Sequence, residues 1–519
     1  MCIFSSFTKL SCYFLDGSYW ARLGKEDLLK AINTKVNNGV AKNVIFFVGD
    51  GMGVPTHTMA RIYKVSFDFS NKTSRSCIFS QGQKKGGSGE EETLAWEEFP
   101  YVGLMKTYNT DFQVPDSAGT ATALFSGVKT RSGMVGLDEQ SQYGVCDIQA
   151  VETASVESIA DWGSRSGKDV GIVTTARVTH ATPSAMYAHS PHRDWEADED
   201  LPEDNEGCTD IASQLFDSFE TGKIKLAFGG GRRAFRNTAN GGVRPGEDLV
   251  ERLAKLGVTY LETTGDLQEW DYSDKVLGLF AYKHMDYEVD RDTREGGQPS
   301  LTEMTRQAIT RLERSEGGYI LMVEGGRIDH GHHATRAKMA LEETVELENA
   351  VQAALEMTDQ DDTLIIVTAD HGHAVTMSGY PDRGHPILGF VNNKDRRAYV
   401  NNTKNEAQPF TTIGYANGPG FDFHFDRNIG FWKNIEDEDY MSNNFKQMAT
   451  FYRGDETHGG EEVSAYAIGP QAHLVSGVHE QSYLAHLVAY AACIREETLS
   501  CPIGKPYCQT NKQNSEPKK

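Results

Sequence analysis

The sequence predicts an α/β fold in which a central, mostly parallel β-sheet is flanked by helices on both faces. Three short runs, continuous in apolar residues and rich in Val, Ile and Phe, carry this prediction: Asn43–Asp50, Tyr319–Glu324 and Thr363–Asp370. Such runs are typical of strands that helices cover on both faces. With 519 residues, 39% of them hydrophobic, the chain can bury a substantial core, and we expect one main domain.

Each of the three runs ends in an acid, namely Asp50, Glu324 and Asp370. Parallel strands share a carboxyl edge, and open α/β sheets bind their ligands at that edge. Acids that end different strands can therefore converge although they lie far apart in the sequence. We expect a metal site at this edge of the sheet.

Other residues that commonly bind metals lie near the same strand ends. Asp329 and His333 occur in EGGRIDHGHH, and residues four apart share one face if the segment is helical. Asp370 and His371 are adjacent in TADHGH and require a loop at the strand terminus. Carboxylates and imidazoles without thiolates suit zinc together with magnesium. Taken singly, each motif is more often a turn or a solvated loop, but together they favour a metal centre.

A candidate nucleophile lies in DSAGTATA, where Ser117 stands at a predicted helix start. Serine is a preferred N-cap, which is the purely structural interpretation. A helix N-terminus also favours a bound phosphate, so a catalytic interpretation is compatible with it. No Gly-x-Ser-x-Gly elbow surrounds Ser117, and the sequence therefore does not support acyl transfer. A nearby metal ion would lower the pKa of the serine hydroxyl and replace the histidine base of a triad.

Two further segments have clear periodicity. Leu341–Leu355 places its apolar residues near one helical face, which core packing explains best. Val170–Thr174 is strand-like and precedes the segment HATPSAMYAHSPHRDW. The acidic stretch Glu196–Glu206 is expected to be a solvated loop.

These motifs, in this order, resemble the alkaline phosphatase family over roughly residues 18–505. The resemblance implies a catalytic domain over residues 19–505, between a divergent N-terminal segment (1–18) and a polar tail (506–519). Residues 389–453 resemble the crown region of the family, which implies a homodimer. Residues 65–81 match nothing in the family and are interpreted as an insertion.

The resemblance also assigns a metal-binding role to several of these residues, which would hold two Zn²⁺ and one Mg²⁺. The ligands would be Asp50, Asp370 and His371 for one zinc, Asp329, His333 and His458 for the other, and Asp50, Thr182 and Glu324 for magnesium. His180 and His330 would lie just outside these ligands. The well-known bacterial members carry Asp and Lys at these two positions, so the chain resembles the animal type.

The same resemblance implies hydrolysis of phosphate monoesters by double displacement. Ser117 would attack phosphorus, and water would then hydrolyse the phosphoserine. Arg193 would bind two phosphate oxygens through its planar fork, and Asp116 would orient it. A calcium site is doubtful because Ala281 stands where the animal type has a calcium-binding glutamate.

Three other functions are weighed against this one. Sulfatases need a modified Cys or Ser in C/S-x-P-x-R, whereas Ser117 is followed by Ala-Gly-Thr. Phosphodiesterases of the same superfamily typically use threonine and lack the magnesium and arginine arrangement, so they are the nearer alternative. A catalytically inactive phosphate- or metal-binding protein is disfavoured because every expected catalytic position is filled.

Charge and cysteines limit the partners and the compartment. The net charge of −23 opposes non-specific binding to nucleic acid or to an anionic membrane. The resemblance implies the disulfides Cys146–Cys208 and Cys493–Cys501, which form in an oxidising compartment. We therefore expect a secreted or extracellular protein, although residues 1–17 lack the apolar core of a signal peptide and no run has transmembrane length. Asn71 and Asn401 begin glycosylation sequons.

Overall fold

The computed structural model describes residues 17–66, 89–203, 205, 207–391 and 409–495. In these ranges the helices are α1 (Gly17–Asn33), α2 (Val54–Ser66), α3 (Ser117–Ser126), α4 (Ile148–Ala154), α5 (Ile159–Arg165), α6 (Ala181–Ser184), α7 (Ile211–Glu220), α8 (Leu249–Lys255), α9 (Thr264–Glu269), α10 (Leu301–Leu312), α11 (Arg327–His333), α12 (Ala337–Met357), α13 (Gly420–His424) and α14 (Tyr483–Ala492). The strands are β1 (Asn43–Gly49), β2 (Tyr101–Lys106), β3 (Asp169–Arg177), β4 (Leu226–Gly230), β5 (Thr259–Leu261), β6 (Val276–Ala281), β7 (Tyr319–Gly325), β8 (Thr363–Ala369), β9 (Gly372–His373), β10 (Val375–Met377), β11 (Phe390–Val391), β12 (Phe410–Thr411), β13 (Ile413–Gly418), β14 (Phe425–Asp426), β15 (Phe431–Trp432), β16 (Ala449–Tyr452), β17 (His458–Gly459), β18 (Val463–Ile468) and β19 (Gly477–Glu480).

The central sheet has ten strands in the order β19-β2-β18-β8-β1-β7-β3-β4-β6-β5. β18 runs antiparallel to both of its neighbours, and every other neighbouring pair is parallel. The three predicted strands are confirmed as β1, β7 and β8, which lie side by side in the middle of the sheet. The strand-like run Val170–Thr174 is confirmed as part of β3, the next neighbour of β7.

Helices cover both faces of this sheet. Consecutive residues of a strand point to opposite sides, so apolar strands need a covering layer on each face. Gly163 of α5 lies so close to Ile320 of β7 that a Cβ atom there would be 2.4 Å from its Cδ1. On the other face, a Cβ at Gly171 would meet the Leu312 side chain of α10 at 2.9 Å. All seven residues of β1 are buried between these helical layers. The predicted helix at Leu341–Leu355 is confirmed as the middle of α12, which packs against the core.

The segment predicted to be a crown-like insertion, residues 389–453, is described at 389–391 and 409–453. It contains short strands outside the central sheet, of which β13 pairs with β10 and β16. The disulfide Cys146–Cys208 is confirmed. Cys501, both sequon asparagines, residues 1–16 and 67–81 and the polar tail lie outside the described residues. Among the described helices, none is long and apolar enough to cross a membrane.

Candidate active site

The acids that end β1, β7 and β8 converge at the carboxyl edge of the sheet, as predicted. β1 lies between the other two strands, and Val48 is in register with both Glu324 and Thr368. Asp50 and Asp370 therefore leave the sheet side by side, and both are fully buried. Their carboxylate oxygens and a ring nitrogen of His371 lie within 4.8 Å of one another.

The predicted loop after β8 orients Asp370. Its Oδ1 accepts hydrogen bonds from the backbone N–H groups of Gly51, at 3.0 Å, and His371, at 2.8 Å. Gly51 has a φ of +70°, and a Cβ atom there would lie 2.3 Å from Nε2 of His373. Only glycine fits this position. The GDGMG turn therefore places Asp50 just after the end of the strand and lets the backbone lie close to the ligand residues.

Four buried oxygen-bearing side chains form one half of the site, which we call the acid cluster: Asp50, Thr182, Glu324 and Asp370. Within the described part of the chain, neither carboxylate oxygen of Asp50 makes a hydrogen bond, and Oε1 of Glu324 makes none. Burial raises the pKa of Asp370 to about 6 and that of Glu324 to about 7. Burial and the neighbouring Asp370 raise the pKa of Asp50 well above its usual range. The acid cluster therefore lacks positive charge of its own and fits a hard cation that prefers oxygen ligands.

The other half, the histidine cluster, consists of Asp329, His333, His373 and His458. Asp329 and His333 lie one turn apart on α11, as their spacing predicted. Oδ1 of Asp329 lies 3.2 Å from Nε2 of His333, 2.9 Å from Nε2 of His373 and 3.3 Å from Nε2 of His458. Burial opposes ionisation of Asp329, but the surrounding imidazoles hold its pKa well below the usual range.

Backbone carbonyls orient two of these rings toward Asp329. Nδ1 of His458 donates to the carbonyl oxygen of Pro115 at 2.7 Å, and Nδ1 of His333 donates to that of Glu456. The Nε2 atoms of the two rings lie 3.1 Å apart and face the same carboxylate oxygen. In the neutral rings both Nε2 atoms are acceptors, so two lone pairs and a carboxylate converge on one point. Nitrogen and oxygen ligands in this arrangement suit zinc.

Sequence reasoning missed His373 and Glu456. Nδ1 of His373 contacts the carboxylate of Glu456, and its Nε2 contacts Asp329. Although burial disfavours the charged ring, Glu456 and Asp329 raise the pKa of His373 to about 10. The signal was present, since His373 ends TADHGH and Glu456 belongs to DETHGG. β9 and β17 pair these motifs, with His373 opposite His458.

Ser117 lies next to His371, whose ring is close to ligand atoms of both clusters, but it is not the N-cap of α3. Asp116 caps the helix, and its carboxylate accepts from the N–H groups of Ala118 and Gly119. Ser117 is therefore the first residue of the helix, and its hydroxyl does not take part in capping. Its Oγ lies 3.2 Å from Nε2 of His371, and the side chain is buried.

Asp116 also binds the predicted phosphate-binding arginine. Nη1 of Arg193 donates to Oδ2 of Asp116 at 2.9 Å, and the N–H of Gly133 donates to Oδ1 at 2.9 Å. Burial opposes ionisation of Asp116, but Arg193 lowers its pKa, so the carboxylate remains charged. The structure thus brings Arg193 to the N-terminus of α3, next to Ser117.

The two accessory histidines lie on the far side of Arg193. Nε2 of His180 is 3.2 Å from Nη2 of Arg193, and the rings of His180 and His330 have centroids 5.8 Å apart. One expectation nearby is wrong: Glu196 does not belong to a solvated loop. It is 2% exposed, binds Arg177, the last residue of β3, in an ion pair and accepts from the hydroxyl of Thr179. These contacts offset the cost of burying its charge.

Comparisons with known proteins identify the family and the fold. Residues 41–494 match the family model described as alkaline phosphatase. The tissue-nonspecific isozyme of alkaline phosphatase from Rattus norvegicus is 42% identical, covering 92% of this chain and 89% of its own. Alkaline phosphatase 4 of Drosophila melanogaster is 38% identical, covering 92% and 82%. The crystal structure of the Thermus thermophilus alkaline phosphatase is 22% identical, covers 90% and 94%, and has a TM-score of 0.61, which shows a shared fold.

Proposed function

The chain belongs to the alkaline phosphatase family and hydrolyses phosphate monoesters, and we propose that Ser117 is the nucleophile of this reaction. One observation carries the proposal: Oγ of Ser117 lies 3.2 Å from Nε2 of His371, whose ring is close to ligand atoms of both clusters. Because Asp116 performs the capping, the serine hydroxyl is available to attack a phosphate placed at the start of α3. The positive dipole end of this ten-residue helix favours such an anion.

Arg193 would hold the phosphate during the attack. Asp116 accepts from one terminal nitrogen of the guanidinium and so fixes Arg193 beside the start of α3. In phosphoryl transfer the protein contributes mainly by positioning the reactants and stabilising charge. A fixed arginine therefore supports reaction of a dianionic monoester better than reaction of a diester, which carries one charge fewer.

The family is metal-dependent, and we propose that residues of both clusters, together with His371, bind two Zn²⁺ and one Mg²⁺. Asp50, Asp370 and His371 would hold one zinc, Asp329, His333 and His458 the second, and Asp50, Thr182 and Glu324 the magnesium. The unpaired oxygens of Asp50 and the converging lone pairs of His333 and His458 support this assignment. When bound, the ions supply positive charge that lowers the pKa of the serine hydroxyl and of water. His373 would hold Asp329 in place, because residues that bind a metal ligand commonly fix its orientation.

We also propose that the protein is a secreted homodimer whose catalytic domain spans residues 19–505. The described residues of α1 include none that is buried, although the helix carries Trp20, Leu28, Leu29 and Ile32. An exposed helix that carries several large apolar side chains supports a contact with a second copy. The disulfide Cys146–Cys208 supports an oxidising compartment.

The test compares p-nitrophenyl phosphate with bis-(p-nitrophenyl) phosphate at about pH 8–10, where charge-assisted deprotonation of the nucleophile is favoured. We expect fast turnover of the monoester, slow turnover of the diester, and loss of both in Ser117→Ala. Ser126→Ala, at the far end of the same helix, is the matched control and should retain activity. Preference for the diester would assign the chain to the phosphodiesterases instead.

A further inference from the structure

Three rings are stacked beside the start of α3, and we call Tyr143, His192 and Trp195 the aromatic column. The ring centroids of Tyr143 and His192 are 4.8 Å apart, with an angle of 29° between the ring planes. Those of His192 and Trp195 are 5.8 Å apart, with an angle of 13°. Trp195 is buried, whereas Tyr143 is 48% exposed. The aromatic column therefore runs from the interior of the protein to an exposed ring.

The position of Tyr143 is fixed by its neighbours. A hydrogen bond of 2.8 Å joins its hydroxyl oxygen to Nε2 of His192. The disulfide Cys146–Cys208 follows Tyr143 closely in the chain and packs in the same apolar cluster as Trp195. Because these contacts hold the ring against the column, its exposed part is a preformed surface for stacking with another ring.

The exposed ring lies next to the residues that would hold the phosphate. A Cβ atom at Gly133 would be only 2.4 Å from Cε2 of Tyr143, so the ring packs directly on this glycine. The N–H of Gly133 donates to Asp116 at 2.9 Å, and its carbonyl oxygen accepts from the N–H of Arg193 at 2.9 Å. Burial raises the pKa of Tyr143, and the charges of Asp116 and Arg193 act on its hydroxyl in opposite directions. One glycine thus separates Tyr143 from both groups.

The exposure of these side chains indicates where the alcohol part of a substrate would lie. Ser117 is buried, whereas the side chains of Asp116 and Arg193 are partly exposed and that of Tyr143 is more so. In phosphoryl transfer the leaving oxygen lies roughly in line with the attacking oxygen, on the opposite side of phosphorus. A monoester attacked by Ser117 therefore directs its alcohol part away from the buried serine, toward the opening that Arg193 and Tyr143 border.

We propose that the aromatic column is a leaving-group subsite, which favours monoesters of alcohols that carry a planar aromatic ring. Offset-stacked or edge-to-face ring pairs are more favourable than their buried area alone implies. The column is held in place before a ligand binds, so little side-chain freedom is lost on binding. The proposal names the substrate class of the active site described above and therefore rests on the function proposed there.

The test compares two phosphonates that differ only in the ring, benzylphosphonate and cyclohexylmethylphosphonate. Neither contains a P–O–C bond to hydrolyse, so calorimetric titration of the metal-loaded protein measures their binding without turnover. The saturated ring is at least as apolar as the aromatic one, and burial alone would not favour the benzyl compound. We expect the wild type to bind benzylphosphonate about fivefold more tightly, which is the usual effect of one aromatic pair.

Two variants of Tyr143 separate stacking from packing. Tyr143→Leu keeps an apolar cover over Gly133 but cannot stack, and it should reduce the preference for the benzyl compound to about onefold. Tyr143→Phe loses the hydrogen bond to His192 but keeps the ring, and it should retain the preference. Tyr282→Leu is the matched control, since Tyr282 is 44% exposed but follows β6, which β4 and β3 separate from β7. It should also retain the preference.

The possible failures are distinguishable. Equal affinity of the wild type for the two phosphonates would overturn the subsite, and so would an unchanged preference in Tyr143→Leu. Loss of the preference in Tyr143→Phe as well would contradict stacking as its cause. If neither phosphonate binds to the metal-loaded wild type, the function proposed above is contradicted, and the subsite that rests on it is rejected with it.

Discussion

The acid cluster and the histidine cluster lie side by side but balance their charges differently. In the histidine cluster, Asp329 contacts His373, whose two ring nitrogens both lie against carboxylates and whose pKa is raised to about 10. The His373 ring therefore supplies a positive charge to the histidine cluster. In the acid cluster, both oxygens of Asp50 make no hydrogen bond, and burial raises the pKa of every carboxyl group.

This difference shows how far each half is organised before an ion binds. The carbonyl oxygens of Pro115 and Glu456 hold the rings of the histidine cluster in place, so its geometry is set by the chain. In the acid cluster, neutral donors offset part of the charge, namely the hydroxyls of Thr174 and Thr120 and two backbone N–H groups. We infer that the acid cluster depends more strongly on cations for its stability, and the histidine cluster more strongly on its supporting residues.

The largest expected effect comes from removing the metals. Chelation should abolish turnover and make the free energy of unfolding strongly dependent on pH. In the metal-free fold, the pKa of Asp370 rises from 3.8 to about 6 and that of Glu324 from 4.5 to about 7. Between these values the folded chain holds protons that the unfolded chain has lost, so stability falls as the pH rises through this window.

The measurement is the Tm of chelated and of metal-reloaded protein from about pH 5 to pH 9, which spans both carboxyl groups. The two curves should separate as the pH rises. Parallel curves would mean that the acid cluster does not need a cation, and the proposed contrast between the clusters would fail.

The next largest effect belongs to Arg193, which lies outside both clusters. Arg193→Ala should lower kcat/KM for a monoester by about 10²–10³, the usual effect of removing a group that stabilises transition-state charge. Asp116→Asn should cost less, because the amide oxygen can still cap α3 while Arg193 loses its ionic partner. Zinc and magnesium contents, measured by mass spectrometry, should stay unchanged in both variants. Loss of metal from Arg193→Ala would place the arginine among the residues that shape the metal site.

A smaller effect is expected from the support of the histidine cluster. His373→Gln should weaken retention of one zinc by about 10–100-fold, as measured for other second-shell partners, and leave the other ions bound. His332→Gln is the matched control, since His332 is also buried, its ring lies 4.8 Å from that of His373, and it contacts Thr56 and Tyr415 instead of a ligand. Competition with a zinc chelator provides the measurement. Equal retention of zinc in the two variants would contradict a supporting role for His373.

The smallest effect is expected outside the site, at a buried carboxyl group. It tests whether burial alone can raise the pKa of a carboxyl group as far as in the acid cluster. Glu343 of α12 is 2% exposed, and burial raises its pKa from 4.5 to about 8. The folded chain holds this proton after the unfolded chain has lost it, so stability falls as the pH rises toward 8. Glu343→Gln keeps an acceptor for the N–H of Glu288 and should raise the free energy of unfolding above pH 8 by about 1–3 kcal/mol. The wild type and the variant should coincide near pH 4.5, and an equal gain at both pH values would contradict this cause.

The sequence predicts most of this arrangement because strand ends are visible in it. The apolar runs locate β1, β7 and β8, and parallel pairing then forces Asp50, Glu324 and Asp370 together. The cap of α3 is harder to predict, because both Asp116 and Ser117 are of a residue type that can cap a helix. The carboxylate of Asp116 is held in position partly by Arg193, which lies 77 residues away in the chain.

The supporting residues are the part that motifs do not reveal. Glu196 lies within an acidic stretch, and only its pairing with Arg177 explains its burial. Glu456 reaches the site through a loop between β16 and β17, whose path depends on tertiary packing. Their roles follow from the contacts and not from local residue type.

The measurement that tests the central claim most directly is detection of the covalent intermediate. The protein is incubated with phosphate monoester, quenched in acid, and its peptides are analysed by mass spectrometry. We predict a phosphate on the peptide that contains Ser117, none on that peptide in Ser117→Ala, and no turnover by this variant. Phosphate on another residue, or full turnover by Ser117→Ala, would contradict the assignment of the nucleophile.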